Sequence, residues 1–465
     1  MNKRNFRWPE LGIAAIIAFF SLRELGTFPA SWADEGLFII VAKMVATGQG
    51  YALPLLEHTW SYPYFLNVGP MLIYPSALSM SLFGISTEAA RLPMVLYLWI
   101  ATALLYLFAR RIGGRGNAVW AALLLVTLSA FVNTGKPVLG EIPAFCFLMT
   151  GLLTLERMHG QKRVLVTGLL FGIAIMTKIT FGLILPALGV AWLLALWKRQ
   201  WTEALHLMLI GFIACLTYAP WRILEMVHTQ GGGLGQELQN FLIGSGGDST
   251  FLYVLRFDPG LLLRLPFLSF GIFLVLGTTG LWTLRARMSR TLSATVATLI
   301  ALFVLYFLNG FGWYRLLLPG HLLLLPFVPA GAWFLLRKRP GAAVLLLILL
   351  AQTYWQLTHR GSSTSTEGRE AAAYVMEHYA GRDLIVEQTE VFARLQPDPR
   401  WRFLMPGLSF SMPERFRTVS GDLCRIPLLR KLNQDEIRSY PPGNLETAAR
   451  RYVILRNYPC PYTPE

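Results

Sequence analysis

Charge is scarce in this chain: Asp, Glu, Lys and Arg make up 14% of its 465 residues, against 54% hydrophobic ones. A soluble domain of that length needs about a quarter of its residues charged, so most of this surface must face lipid. Acid is the rarer sign, 26 residues against 41 Lys and Arg, for a net charge of +15. On a soluble protein that excess would suggest nucleic acid. Here the cations gather in short loops between apolar runs, which is how helices are oriented in a membrane, so no nucleic-acid partner is expected. Cysteines number only four, and Cys146 and Cys215 sit within apolar runs as packing residues. A small-residue cleavage site is also missing: the apolar run from Leu11 passes through Arg23 and Glu24, and reads as a retained first helix.

What is present is a series of apolar segments. A spanning helix needs about 20 mostly apolar residues, and the candidates are roughly 9–29, 88–109, 117–135, 141–156, 163–178, 181–197, 204–221, 260–283, 292–310, 315–336 and 341–357. The expected fold class is an α-helical polytopic membrane protein with about eleven transmembrane helices. Arg110, Arg111 and Arg115 follow the second segment, Lys198 and Arg199 the sixth, and Arg337, Lys338 and Arg339 the tenth. Every second loop is basic, which puts the N-terminus inside the cell and the C-terminus outside. Pro70–Gly84 is apolar but too short to cross and reads as an interfacial helix in the first outer loop. Leu165–Trp197 is too long for one pass and reads as two short helices turning near Thr177–Thr180.

From Ser362 the chain is polar, with a helix-like stretch at Glu367–Tyr379 and strand-like stretches at Asp383–Glu387 and Arg451–Leu455. Two domains follow: residues 1–360 in the membrane, and 361–465 as a small extracytoplasmic α+β domain. Outside the cytoplasm, Cys424 and Cys460 are a candidate disulfide.

The chemistry is to be sought in the outer loops. Asp34 and Glu35 follow the first helix and open a segment whose Leu37, Phe38, Val41, Met44 and Val45 recur at helical spacing, as in an amphipathic surface helix. Asp34 reads either as an N-cap or as a carboxylate that deprotonates an acceptor or binds a cation. Glu141 opens the fourth segment on the same side, as a dipole-favoured end residue or a second acid of a site. Lys178 lies at the turn between the two short helices, where it either snorkels or holds a phosphate. Arg91 and Arg315 also sit at outer helix ends, against the inside bias for cations, and binding an anionic lipid head would explain them. His58, Tyr62 and Tyr64 in the first outer loop are substrate-loop candidates. Their spacing with His228 and Glu225 makes no metal cluster, and no metal ligand is assigned.

In order, WADEGLFIIVAKMVATGQGY, STEAARLPMVLYLWIATALLYLFARRIGG, GKPVLGEIPAFCFLMTGLL, GIAIMTKITFGLILPAL and WYRLLLP resemble the polyprenyl-phosphate-dependent glycosyltransferases of the GT-C superfamily. The likeness is to glycosyltransferase family 39 in particular, with its protein O-mannosyltransferases and lipid A aminoarabinose transferases. The resemblance implies inverting transfer of a sugar from a polyprenyl-phosphate donor, at the outer face of the cell (inner) membrane, to a lipid, polysaccharide or protein acceptor. By the same resemblance Asp34 is the general base, Glu35 its neighbour in the acidic motif, and Glu141 the acid of the second outer loop. Lys178, with Arg315 and Arg91, would hold the donor phosphate. No cofactor is certain, and a divalent cation stays open because relatives differ. One departure is evident: where the family often has Lys-Pro-Pro or His-Pro-Pro late in the first loop, this chain reads Asn67-Val68-Gly69-Pro70. The competing readings are a lipid or polysaccharide transporter or flippase, which would place charges mid-helix, and a non-enzymatic envelope assembly protein, which would tolerate loss of Asp34 and Glu141.

Overall fold

The computed structural model describes residues 8–228, 259–263, 265–309, 313–358, 366–405 and 425–456. Cys424 and Cys460 lie outside the described residues. Helices dominate: α1 (Trp8–Leu22), α2 (Ala33–Ala46), α3 (Pro70–Phe83), α4 (Thr87–Thr127), α5 (Ser129–Gly135), α6 (Glu141–Arg157), α7 (Gly160–Thr177), α8 (Ile184–Trp197) and α9 (Trp201–His228). After these come α10 (Leu265–Leu284), α11 (Arg290–Asn309), α12 (Tyr314–Leu324), α13 (Val328–Leu336) and α14 (Lys338–Thr358).

Among the described residues, six helices are long and apolar enough to cross a membrane: Thr87–Thr127, Ile179–Trp197, Trp201–His228, Phe267–Arg287, Arg290–Asn309 and Lys338–Thr358. The pair α12 and α13, bent by 65°, would make a seventh. Their outward faces keep large apolar side chains exposed, among them Leu193, Phe212, Val275, Leu305 and Leu347, as a bundle immersed in lipid requires. Three segments depart from the sequence reading. The stretch expected as one span at 315–336 is broken, because Pro326 cannot donate to the helix ladder. The Asn117 amide reaches the freed Pro326 carbonyl at 2.7 Å. The helix α4 holds two arms joined at Gly114, whose φ of 82° is open to glycine. The helix α9 runs through Pro220 to His228, so Arg222 and Glu225 are helical rather than loop residues.

The Leu165–Trp197 stretch does form two helices, α7 and α8, joined through a 3₁₀ turn at Ile179–Leu183. Helix α3, at 14 residues, spans only about 21 Å. It buries Leu72, Ile73, Ala77 and Met80 and leaves Leu78, Leu82 and Phe83 exposed.

The expectation for α2 needs correction. It is no surface helix, for every residue from Glu35 to Met44 is buried. The cover comes from α3 on one side and from the C-terminal region on the other. That region holds α15 (Glu367–His378), β3 (Leu384–Val386), α16 (Thr389–Phe392), β4 (Trp401–Phe403), β5 (Leu428–Lys431), α17 (Gln434–Ser439), β6 (Leu445–Ala449) and β7 (Tyr452–Leu455). The strands form one sheet in the order β4-β3-β5-β7-β6, parallel across β4-β3-β5 and antiparallel across β5-β7-β6. Val375, Phe392, Phe403 and Tyr452 of this region share a single apolar core with Phe38 and Val41 of α2, Trp60 of the first-loop hairpin (β1, Ala52–Leu55; β2, His58–Ser61) and Ile73 of α3. The hairpin turn also donates from Leu56 N to Phe403 O at 2.8 Å.

The first loop returns to the bundle through Asn67–Gly69, which lies along the α7–α8 turn. Gly69 N donates to Thr177 O at 3.4 Å and Ile179 N to Asn67 O at 3.3 Å, with Val68 and Lys178 bridged antiparallel. A Cβ on Gly69 would come within 2.1 Å of Met176 O. Gly69→Ala is therefore expected to push the loop off the turn at a cost of about 1–3 kcal/mol. A lowered thermal midpoint of the purified protein in detergent would register it; an unchanged midpoint would mean the loop is free to shift.

Candidate active site

Asp34 and Glu35 are neighbours in the first turn of α2, so their side chains diverge by about 100°. The N-cap of α2 is Trp32, and no side chain caps it. Asp34 lies inside the helix and does not serve as the cap. Glu35 points inward. Arg91, at the start of α4, donates from Nε to Oε1 at 2.6 Å and from Nη2 to Oε2 at 2.6 Å. Both side chains are fully buried. Glu35 Oε1 also accepts from Val138 N at 3.1 Å, while Arg91 donates to Leu25 O at 2.7 Å and Pro29 O at 3.0 Å. One ion pair thus ties the segment leaving α1, the first turn of α2, the first turn of α4 and the loop before α6. Arg91 was expected to hold donor phosphate. Its guanidinium is instead taken up by Glu35 and these carbonyls, beneath the surface.

Asp34 points the other way, to Arg315 at the start of α12, with Oδ2 2.6 Å from Nη1. The Asp34 side chain is 34% exposed and that of Arg315 14%. Arg315 sits in the corner formed by two indoles set at 81° to one another, its Cζ 4.5 Å from the centroid of Trp32 and 4.7 Å from that of Trp313. Cation–π contacts of this kind are made more often by a guanidinium than by an ammonium. The Nε of Arg315 has no hydrogen-bond partner among the described residues. Sequence reasoning missed the two indoles, although each stands two residues before the charge it serves: Trp32 before Asp34, Trp313 before Arg315.

Lys178, at the α7–α8 turn, lies over Gly140. A Cβ on Gly140 would sit 3.0 Å from Lys178 Cδ. Its ammonium is 5.7 Å from the ring centroid of Phe38, one turn along α2 from Asp34. Glu141, the next residue after Gly140, is buried, and its Oε2 has no hydrogen-bond partner among the described residues. The structure therefore gathers the start of α2, the start of α6, the α7–α8 turn and the start of α12 at one end of the bundle. Asn67–Gly69, where the resembled family often has a lysine element, contributes backbone pairing to the Lys178 turn instead of a charge.

The substrate-loop candidates fall elsewhere. His58 is exposed at the end of the hairpin. Tyr62 stacks on Tyr51 with centroids 5.7 Å apart and lies 4.7 Å from the His228 ring. Tyr64 packs on Trp60 at 5.6 Å and under Arg222 at 5.9 Å. Tyr62 and Tyr64 thus close against the end of α9. There Glu225 accepts from Trp221 Nε1 at 2.9 Å and pairs with Arg222 at 3.0 Å. A small cavity beside this cluster, lined in part by Asn67, Met176, Ile179 and Glu225, reaches the flank of the Lys178 turn. Among the described residues no group of three or more His, Cys, Asp or Glu could hold a metal ion.

Removing one member of the Glu35–Arg91 pair strands a buried charge, which costs about 3–5 kcal/mol. Arg91→Met and Glu35→Gln are each expected to lower the thermal midpoint sharply, and the double variant by less than their sum. Additive losses in a double-mutant cycle would show that the two groups act independently.

Comparison with known proteins fits this geometry. Residues 67–223 match the sequence family described as dolichyl-phosphate-mannose-protein mannosyltransferase. A search among curated proteins finds no match. The crystal structure of ArnT from Cupriavidus metallidurans bound to undecaprenyl phosphate superposes with a TM-score of 0.66 at 15% identity, covering 98% of this chain and 99% of that one. The oligosaccharyltransferase of Archaeoglobus fulgidus in its apo form gives 0.54 at 12% identity, over 93% of this chain and 70% of that one. The mycobacterial arabinofuranosyltransferase AftD gives 0.51 at 16% identity, over 91% of this chain and 35% of that one. The family match runs from the end of the first loop into α9, and the fold is shared with ArnT along the whole chain; with its long apolar helices, the chain is an integral membrane protein of ArnT-like fold.

Proposed function

We propose that this protein transfers a sugar from a polyprenyl-phosphate donor to an acceptor at the outer face of the cell (inner) membrane, with inversion at the sugar. The observation that carries the reading is the 2.6 Å contact between Asp34 and Arg315. A carboxylate able to take a proton and a guanidinium able to take a phosphate meet at one point, from helices far apart in the chain.

In this reading the acceptor oxygen attacks C1 of the sugar, its proton passes to the Asp34 carboxylate, and the bond from C1 to the phosphate oxygen breaks. Polyprenyl phosphate leaves with the bonding electrons, and Lys178 and Arg315 hold the charge that develops on it. The phosphate competes with Asp34 for Arg315, so donor binding frees the base for the acceptor. Glu141 offers its buried Oε2 to a substrate hydroxyl. Glu35 and Arg91 position this centre without touching substrate. The prenyl tail stays in the bilayer, which is why the phosphate is met at a helix end and why no nucleotide site is needed.

The basic loops on alternate sides support an outer location for the site, and the core that α2 shares with the C-terminal region puts that region on the same side. The same charge pattern speaks against a transporter, since the site's cations sit at helix ends rather than mid-span.

The test is incubation of the purified protein with a panel of polyprenyl-phosphate sugars, following release of polyprenyl phosphate. Asp34→Asn is expected to lower turnover by about 10²–10⁴-fold with the thermal midpoint retained; full activity would remove Asp34 from the mechanism. Arg315→Lys is expected to raise the donor KM despite keeping the charge, because an ammonium lacks the planar fork that can meet a phosphate through two N–H groups. A donor KM equal to that of the parent would remove Arg315 from phosphate binding.

A further inference from the structure

Besides the shared apolar core, two polar contacts join the C-terminal region to the acidic helix, one part-buried and one buried. At its start, Thr389 Oγ1 lies 3.0 Å from Ala33 O, the peptide immediately before Asp34. The hydroxyl has one proton and a second acceptor, Glu390 Oε2, at 3.3 Å; the Ala33 carbonyl is the nearer. The approach is close enough that a Cβ on Gly36 would come within 2.6 Å of the Thr389 carbonyl carbon. Near the other end of α2, Lys43 Nζ donates to Phe392 O at 2.9 Å and to Leu395 O at 3.2 Å, and lies 4.5 Å from the centroid of the Phe392 ring.

These attachments are ten residues apart, about 15 Å along the helix. A helix held at one point can still turn or slide. Held at two, it can do neither. Arg394 adds a third bond, from Nη2 to Gly26 O at 3.3 Å, on the same segment that Arg91 grips from the bundle side. The contacts also have a cost. Burial pushes the Lys43 ammonium down to about 7, and an apolar side chain of similar length would fill the space without that penalty. What the ammonium adds is two directional bonds to the carbonyls that end α16.

We infer that Thr389 and Lys43 are positioning residues for Asp34, so that the C-terminal region is part of the catalytic unit and fixes the angle at which α2 presents its carboxylate. This rests on the glycosyltransferase reading above. Proton transfer depends on sub-ångström placement, and misplacement by about 1 Å can lower a rate about 10²-fold.

The experiment uses the full chain in detergent or nanodiscs, with the polyprenyl-phosphate sugar that the parent turns over. Thr389→Val and Lys43→Met are expected to lower kcat between about tenfold and about 10²-fold, with the donor KM changed less than about twofold. Thr389→Ser is expected to restore most of the rate. The control is Glu446→Gln, on the sheet at a distance from α2, where Glu446 accepts from Tyr374 at 2.7 Å, Tyr379 at 2.8 Å and Arg456 at 2.7 Å. It is expected to lower the thermal midpoint and leave kcat unchanged. Parental kcat in Thr389→Val and Lys43→Met overturns the proposal. So does a loss in Glu446→Gln as large as theirs, which would make the effect one of general stability. If the parent turns over no donor at all, the glycosyltransferase reading fails separately. Amide exchange over residues 33–40 then decides the positioning: faster exchange in Thr389→Val and Lys43→Met upholds the two-point attachment, and parental rates overturn it.

Discussion

The buried pair of Glu35 and Arg91 is the constraint from which the rest of the site follows. Two charges taken fully out of water must be matched bond for bond, and here the matching groups come from four separate stretches of chain. Leu25 and Pro29 lie after α1, Glu35 in α2, Arg91 in α4 and Val138 before α6. None can move far without leaving the others unsatisfied. The pair therefore fixes where the first turn of α2 lies against the bundle, and with it the direction in which the adjacent Asp34 must point.

A second layer of restraint surrounds Arg315 and Lys178. Arg315 is fixed by ring faces, Lys178 by the closeness of Gly140 and by a turn that Asn67–Gly69 clasp through backbone bonds. Lys178 and Arg315 pack against aromatic faces, Arg315 with the part-exposed Asp34 as its counter-ion, whereas Arg91 is surrounded by buried polar groups. That difference separates groups suited to meet a ligand from those suited to build the frame. The departure from the resembled family at residues 67–70 becomes intelligible in the same terms. A chain that must lie flat on the Lys178 turn has room for glycine at position 69, and the charge found there in relatives has no counterpart.

The C-terminal region bears on the chemistry because α2 is buried rather than adsorbed on the membrane. An apolar helix face at an interface can be covered by lipid or by protein. In this chain α16 and the sheet provide the cover, and the cover is polar at the two places where it matters for Asp34. The helical bundle and the C-terminal region thus meet in one core, with the acid pair at their junction.

Hydropathy and loop charge were enough to read a helical membrane protein with a distinct C-terminal α+β region, because lipid demands long apolar runs and the bias in basic loops needs no tertiary contact. The turn at Lys178 was legible for the same reason, since Leu165–Trp197 is too long for one crossing. Asp34, Glu141, Lys178 and Arg315 also stood out in the sequence, as charged groups beside apolar runs. Their division of labour was not legible. Arg91 and Arg315 look alike in sequence, each a lone cation at a helix start, yet one is sealed against Glu35 and the other faces Asp34 between two indoles. The burial of α2 and the hold of Thr389 and Lys43 on the acid helix were equally hidden. Each depends on a partner hundreds of residues away, and periodicity carries no record of what a helix face will meet. Hydropathy and charge thus located the candidate groups, and the folded chain set the partner of each, because partners come from contacts between distant segments.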